Sequence, residues 1–183
     1  MRYPLVILAL LLTTIGSFSS RSAAAPLPLT SSSLFISGQR GLFHSPIGFV
    51  INSGNTDWHL AVAPKNNSYI ETVYRAPGDN KVQAALTVRA ETLLSKTDLD
   101  SYAKKWIKDY PRLGFEVLTA KKVRVGEQVG YMLDLLSREN SKQLRQVLFL
   151  KGRNTVTLTC RDDVSTFAQS LKSCNDIIRT FHW

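Results

Sequence analysis

Two cysteines, three histidines and one acidic pair are the residues of this sequence with the widest chemical reach, and their spacing favours bracing over catalysis. His44, His59 and His182 lie far apart, and none completes an HxH, HxxxH or HExxH pattern, the spacings that bring two chelating groups to one side of a strand or helix. They read as surface or turn residues. Asp162-Asp163 falls where the last helix is expected to begin, a place where capping and the helix dipole favour carboxylates without any catalytic role. The sequence contains no GxSxG elbow, phosphate-binding glycine loop or dinucleotide fingerprint. A hydrolase would therefore need a site assembled from scattered residues, and no enzyme activity is expected. Asn66-Asn67-Ser68 matches an N-glycosylation acceptor, a short pattern that matters only in a eukaryotic host.

Cys160 and Cys174 have more to say together. Cys160 closes the run "TVTLTC", in which Val156, Leu158 and Cys160 alternate with Thr155, Thr157 and Thr159, so one strand face is apolar and the other half-polar. Cys174 sits on a helical stripe with Phe167, Leu171, Ile178 and Phe181. Both sulfurs should point into one strand-to-helix interface. A helix starting directly after the strand would carry Cys174 ~15 Å along its axis, past Cys160. A bridge therefore needs "RDDV" to swing outward first, and three or four extended residues cover ~10 Å. In an oxidising compartment two such thiols pair, closing a loop worth about 3 kcal/mol. The alternative is a pair of buried free cysteines acting as small apolar residues. A redox or zinc role lacks both a CxxC spacing and nearby histidines.

The compartment is read at the other end. Met1-Arg2 followed by the apolar run Tyr3 to Gly16 has the length of a signal-peptide core and is too short to span a bilayer stably. Small residues in "SFSSRSAAAP" place the cut near Ala25, so residues 1–25 are expected to be an export signal and the mature chain periplasmic or extracellular. No later stretch is apolar enough for a membrane span. Cleavage removes Arg2 and Arg21 and no acidic residue, taking the net charge from +9 to +7. Residues 26–46, beginning Pro- and Ser-rich, read as a tether whose second half docks on the domain, and residues 47–183 as one α/β domain, expected to be a monomer.

Short branched or aromatic runs separated by turn residues predict strands at Ile47 to Ile51, Trp58 to Ala63, Tyr69 to Ala76 and Val82 to Ala90. "TDLDSYAKKWIKDYPRLG" predicts a helix, with Thr97 and Asp100 as a capping box and Pro111 and Gly114 ending it. Four strands follow in "FEVLTA", "KKVRVG", "GYMLDLLS" and "QVLFL". The turn "KGRN" then leads into "TVTLTC" and the closing helix.

The basic excess reads either as a solvated charged face or as a surface for a partner. Lys121, Lys122 and Arg124 lie on one predicted strand, with Lys142, Arg145, Lys151, Arg153 and Arg161 around the next hairpins, giving a positive surface on the sheet's open side. Nucleic acid is disfavoured by export and by the lack of interleaved aromatics on that surface. An unknown protein or an anionic envelope component suits better.

The order of "IGFVI" and Trp58, "LDSYAKKWIKDYPRLGFEVL", "GYMLDL", "QVLFLKGRNTVTLTC" and "FAQSLKSCNDIIRTF" resembles the PsbP-like family, named for an accessory protein of the photosynthetic oxygen-evolving complex, over Ile47 to Phe181. The resemblance implies an α+β fold, an α-β-α sandwich around a central antiparallel sheet, with no cofactor and no catalytic activity established for the family. Its members include accessory and binding proteins, among them the photosystem subunit, a nuclear-transport relative that binds a small GTPase, and an exported bacterial branch. No partner-contacting or ion-binding residue of either named role maps onto this chain, and "NSGNTDW" departs from the family's proline-containing approach to the tryptophan. The expected function is an exported, non-enzymatic accessory or binding protein engaging a macromolecular partner through a basic sheet face. The alternative is a small-ligand carrier whose cavity between sheet and helix is lined by Trp58, Trp106, Tyr102 and Tyr110.

Overall fold

The computed structural model describes residues 41–78 and 84–183; the expected signal peptide, the tether up to residue 40 and the start of the strand read from Val82 lie outside them. The elements run β1 (Phe43–His44), β2 (Val50–Ile51), β3 (His59–Ala61), β4 (Ile70–Arg75), β5 (Ala85–Thr92), α1 (Leu99–Asp109), a 3-10 turn (Tyr110–Leu113), β6 (Phe115–Val125), β7 (Gln128–Ser137), β8 (Lys142–Lys151), β9 (Asn154–Asp163) and α2 (Phe167–Arg179). Seven strands form one antiparallel sheet in the order β3-β4-β5-β9-β8-β7-β6, with β1 and β2 paired separately. Glycine opens the two-residue turns of the β6–β7 and β8–β9 hairpins: Gly126 (φ 56°) and Gly152 (φ 65°) supply the positive φ that this position demands.

Strand alternation sends side chains to two separate cores. On one face α2 packs over β9 and β8, and Val147, Phe149, Val156, Leu158 and Cys160 meet Phe167, Cys174, Ile177, Ile178 and Phe181. The Phe149 and Phe181 rings stack with centroids 4.2 Å apart. On the other face α1 packs over β7 and β8, where Leu133, Leu135, Leu144 and Leu148 meet Tyr102, Ala103 and Tyr110. The amphipathic stripe read in the last helix is thus the lid of the larger core, with Phe167, Cys174, Ile178 and Phe181 buried and Leu171 partly buried against them.

Several boundaries differ from the sequence reading. "FEVLTA" and "KKVRVG" form one continuous strand, β6, with a bulge between Val117 and Thr119. The extra residue changes which positions face which core: Phe115 and Val117 pack beneath α1, whereas Val123 packs and Val125 is buried in the α2-side core, although all four are odd-numbered. Helix α1 is capped by Asp98 in place of the Thr97–Asp100 box. Asp98 accepts the Ser101 N–H at 2.8 Å and the Ser101 hydroxyl at 2.7 Å, bonds that hold its carboxyl below the usual range. Phe43–His44, within the segment read as tether, pairs with Val50–Ile51. Asp162-Asp163 ends β9, and the last helix begins at Phe167.

That last difference resolves the reach of the cysteines. From Cys160 the strand runs three residues further, ~10 Å, and α2 then returns seven residues to Cys174, again ~10 Å. Strand extension replaces the outward swing expected of "RDDV". The Cys160–Cys174 disulfide is formed, with the Cα atoms 6.1 Å apart and both residues 1% exposed.

Candidate functional site

The expected basic triad does not share one face. Its strand, β6, is an edge of the sheet, and the pleat sends neighbouring side chains to opposite sides. Lys121 is opposite Met132 on the α2 side, while Lys122 is opposite Tyr131 and Arg124 opposite Val129 on the α1 side. Lys122 is also engaged: its ammonium lies 2.8 Å from Asp100 Oδ2, a contact that raises its pKa. All three are exposed. Charged residues on a long edge strand also discourage pairing with another sheet, which by itself accounts for their placement.

A second group of basic residues is better assembled. Helix α1 covers only half of its side of the sheet, and over β3, β4, β5 and β9 on that side no described helix lies. The strand register writes the rows of this uncovered half directly. One row reads His59, Arg75, Ala85, Arg161; the next Ala61, Val73, Thr87, Thr159, Gln146; the third Ile70, Arg89, Thr157, Leu148. Arg75 and Arg161 are exposed and flank the small Ala85, with backbones ~10 Å apart at the usual strand spacing. Neither has an ion-pair partner among the described residues. Their neighbours Thr87, Thr157 and Thr159 are half-buried, and among the described residues their hydroxyls make no hydrogen bond.

At the other end of the field Arg89 is clamped. Its guanidinium carbon lies 4.9 Å from the Tyr69 ring centre and 5.8 Å from that of Trp106, and its NH2 contacts Glu91 Oε2 at 3.1 Å. The Tyr102 hydroxyl donates to Glu91 Oε1 at 2.7 Å. Arg89 Nε is buried without an acceptor, and Trp106 Nε1 makes no hydrogen bond of standard geometry. Trp106 stacks on Tyr110, whose hydroxyl donates to Gln146 Oε1. Burial raises the pKa of the Tyr102 and Tyr110 hydroxyls, so both stay protonated as donors near neutral pH. These aromatics form a wall along one side of the threonine floor.

The remaining candidates are dispersed. A cavity of about 500 Å³ opens between the 3-10 turn and the start of β6, lined by Ile107, Pro111, Phe115, Glu116, Val117 and Arg138. None of Trp58, Trp106, Tyr102 and Tyr110 lines it: Trp58 lies in the α2-side core and the other three along the α1 wall. Arg145 forms a two-pronged pair with Asp134 at 2.7 and 2.8 Å, and Lys142 pairs with Asp163, which removes both from the free basic inventory. His59 lies at the β3 edge, while His44 and His182 belong to backbone pairings around β2. Among the described residues no cluster of three metal-ligating side chains occurs, and no helix is long and apolar enough to cross a membrane.

In the sequence Arg161 is one of a scatter of basic residues and Arg75 belongs to no basic run. The half-polar strand face, the Thr155–Thr157–Thr159 alternation, is the signal the sequence carries. Missing was the pairing of "TLT" with "LTVRA" that sets Thr159 beside Thr87 and Arg161 across from Arg75.

No family model and no curated protein sequence matches the chain. Solved structures do. The solution structure of cyanobacterial PsbP (CyanoP) from Synechocystis sp. PCC 6803 is 14% identical with a TM-score of 0.57, covering 85% of this chain and 98% of that one. LpqN of Mycobacterium tuberculosis, described as involved in cell envelope biogenesis, is 12% identical with a TM-score of 0.57, covering 78% and 89%. A Pseudomonas aeruginosa protein, PA94, described as a putative regulator of unknown function, is 13% identical with a TM-score of 0.53, covering 78% and 96%. At these identities the likeness concerns architecture, and it agrees with a seven-stranded antiparallel sheet carrying a helix on each face. The chain has the PsbP-like fold.

Proposed function

We propose that this chain is an exported, non-enzymatic accessory protein that binds an anionic macromolecular partner on the half of its sheet that no described helix covers. The observation that carries the reading is the pair Arg75 and Arg161, exposed, unpaired among the described residues and set on either side of Ala85 in one cross-strand row. Cations on β4 and β9 with no ion-pair partner among the described residues have no existing pair to break on meeting an anion, so their charge is available for recognition. Cyanobacterial PsbP and the envelope-biogenesis protein LpqN, of the same fold, support an accessory role, and the buried disulfide suits an oxidising compartment.

The test is binding to immobilised polyanions across a salt series. Arg75→Glu/Arg161→Glu should weaken retention at least tenfold and flatten its salt dependence, whereas Lys121→Glu/Lys122→Glu/Arg124→Glu, on the β6 edge, should weaken it far less. Equal loss from both variants, or no loss from the first, would refute the assignment of the surface. The cavity beside Ile107 and Phe115 favours one further reading, a small-ligand carrier, which native mass spectrometry of the purified protein would reveal as a bound low-mass species.

A further inference from the structure

We infer that the partner on this surface is an acidic oligosaccharide chain, lying across β4, β5 and β9 with its anionic groups at Arg75 and Arg161 and a ring against Tyr69. The inference rests on the anionic-surface reading and narrows it to one chemical class. Three features of the field select sugars over peptide.

First, β4, β5 and β9 each have a strand on either side, so their backbone donors and acceptors are engaged within the sheet. An extended peptide gains its affinity from main-chain bonds at a sheet edge, and the middle of a sheet offers none. Recognition must run through side chains, and on β5 and β9 those facing the field include the hydroxyls of Thr87, Thr157 and Thr159, with the Gln146 amide beside them, while β4 adds Ile70 and Val73, the latter 4% exposed. A hydroxyl both donates and accepts, as do the ring hydroxyls of a sugar. Second, the cations are sparse and spread, ~10 Å apart across two strand spacings, with Ala85 between them and the hydroxyls of Thr87 and Thr159 in the next row. That matches a chain bearing its charges at intervals between hydroxyl-rich rings, and not the dense charge of a nucleic acid backbone. Third, Tyr69 is 51% exposed with Arg89 held 4.9 Å from its ring centre. A large aromatic left half in water offers a flat apolar surface to the C–H face of a pyranose.

The floor from the Arg75 row to the Arg89 row is ~13 Å long at strand rise, so the field measures ~10 by 13 Å, room for a short run of rings.

Calorimetric titration of the wild-type protein with oligogalacturonate, a heparin-derived oligosaccharide, a neutral malto-oligosaccharide and poly-L-glutamate tests this. Thermal melts accompany every variant so that unfolding is not mistaken for lost binding. At least one acidic sugar should bind with millimolar affinity or better and the neutral sugar should not. Arg75→Glu/Arg161→Glu should cost at least tenfold. Thr87→Val/Thr157→Val/Thr159→Val, which removes hydroxyls and no charge, should weaken the acidic sugar at least fivefold and leave poly-L-glutamate unchanged. Indifference of sugar binding to the threonine variant, or tighter binding of poly-L-glutamate than of either acidic sugar, overturns the sugar assignment while leaving the anionic surface standing. Binding that ignores the arginine reversal overturns both, and failure of both acidic sugars to bind overturns the inference.

Discussion

Reducing the Cys160–Cys174 bond should cost the domain about a third of a typical small-domain stability. The two residues are 14 apart in sequence, so the bond closes a short loop. Loop-closure entropy for that length corresponds to about 3 kcal/mol, from removing conformations of the unfolded chain. Because both cysteines are 1% exposed, cutting the bond chemically leaves every packing atom in place, which makes reduction a cleaner perturbation than substitution. For a domain of this size 3 kcal/mol corresponds to a fall in Tm of about 10 °C. The assay is urea and thermal unfolding of the oxidised protein beside the same protein held in reductant, with Cys160→Ala/Cys174→Ala as a check that reductant acts nowhere else. The double variant should fall at least as far as the reduced form, since it also loses buried sulfur. A difference below ~1 kcal/mol between oxidised and reduced forms would refute the loop-entropy reasoning. Thiol titration of the unreduced protein in denaturant should find no free thiol; recovery of both would refute the bond itself.

Other consequences are equally direct. Glu71 is largely buried, with one carboxylate oxygen lacking any partner, and burial raises its pKa against the lowering effect of a hydrogen bond from Ser45. The folded state therefore holds its proton to higher pH than the unfolded chain, so stability falls as pH rises from the unfolded value through the folded one. Glu71→Gln should accordingly melt higher than wild type at pH 7, with the gain shrinking at pH 4; a constant gain at both would refute the titration. Gly130 faces Phe149 and Val147, and a Cβ there would meet a side-chain carbon of each at 3.0 Å and the Leu148 carbonyl oxygen at 3.2 Å. Gly130→Ala should cost about 1–3 kcal/mol in urea unfolding, an overpacking penalty at the end of the β7–β8 pair, next to Tyr131 and Leu148.

Much of the fold was legible because its signals are periodic. The alternation in "TVTLTC" and the stripe from Phe167 to Phe181 are local patterns, and each maps onto the buried face it implied. The bulge after Val117 was not legible, because a one-residue slip leaves no mark in composition and shows only when Phe115 and Val123 turn out to serve different cores. Helix caps misled for a related reason: Thr97 and Asp98 are both competent, and the chain's entry angle chooses between them. The site was harder still. Lys121, Lys122 and Arg124 stand together in sequence and apart in space, while Arg75 and Arg161 are 86 positions apart and meet across one strand, a neighbourhood created by the β4-β5-β9 order and by nothing local.

The two ends of the described domain are stitched to each other. Val50 N donates to the His182 carbonyl at 2.9 Å and His182 N to the Val50 carbonyl at 3.1 Å, while the Thr180 hydroxyl accepts the Asn52 N–H at 3.0 Å. Phe49 packs against Phe181 and Trp183, which also touch each other. A ribosome releasing this chain from its start thus cannot finish the larger core until the closing residues have emerged. Until then Phe49 and Val50 lack the ring and the backbone partner that hold them, so the larger core closes last.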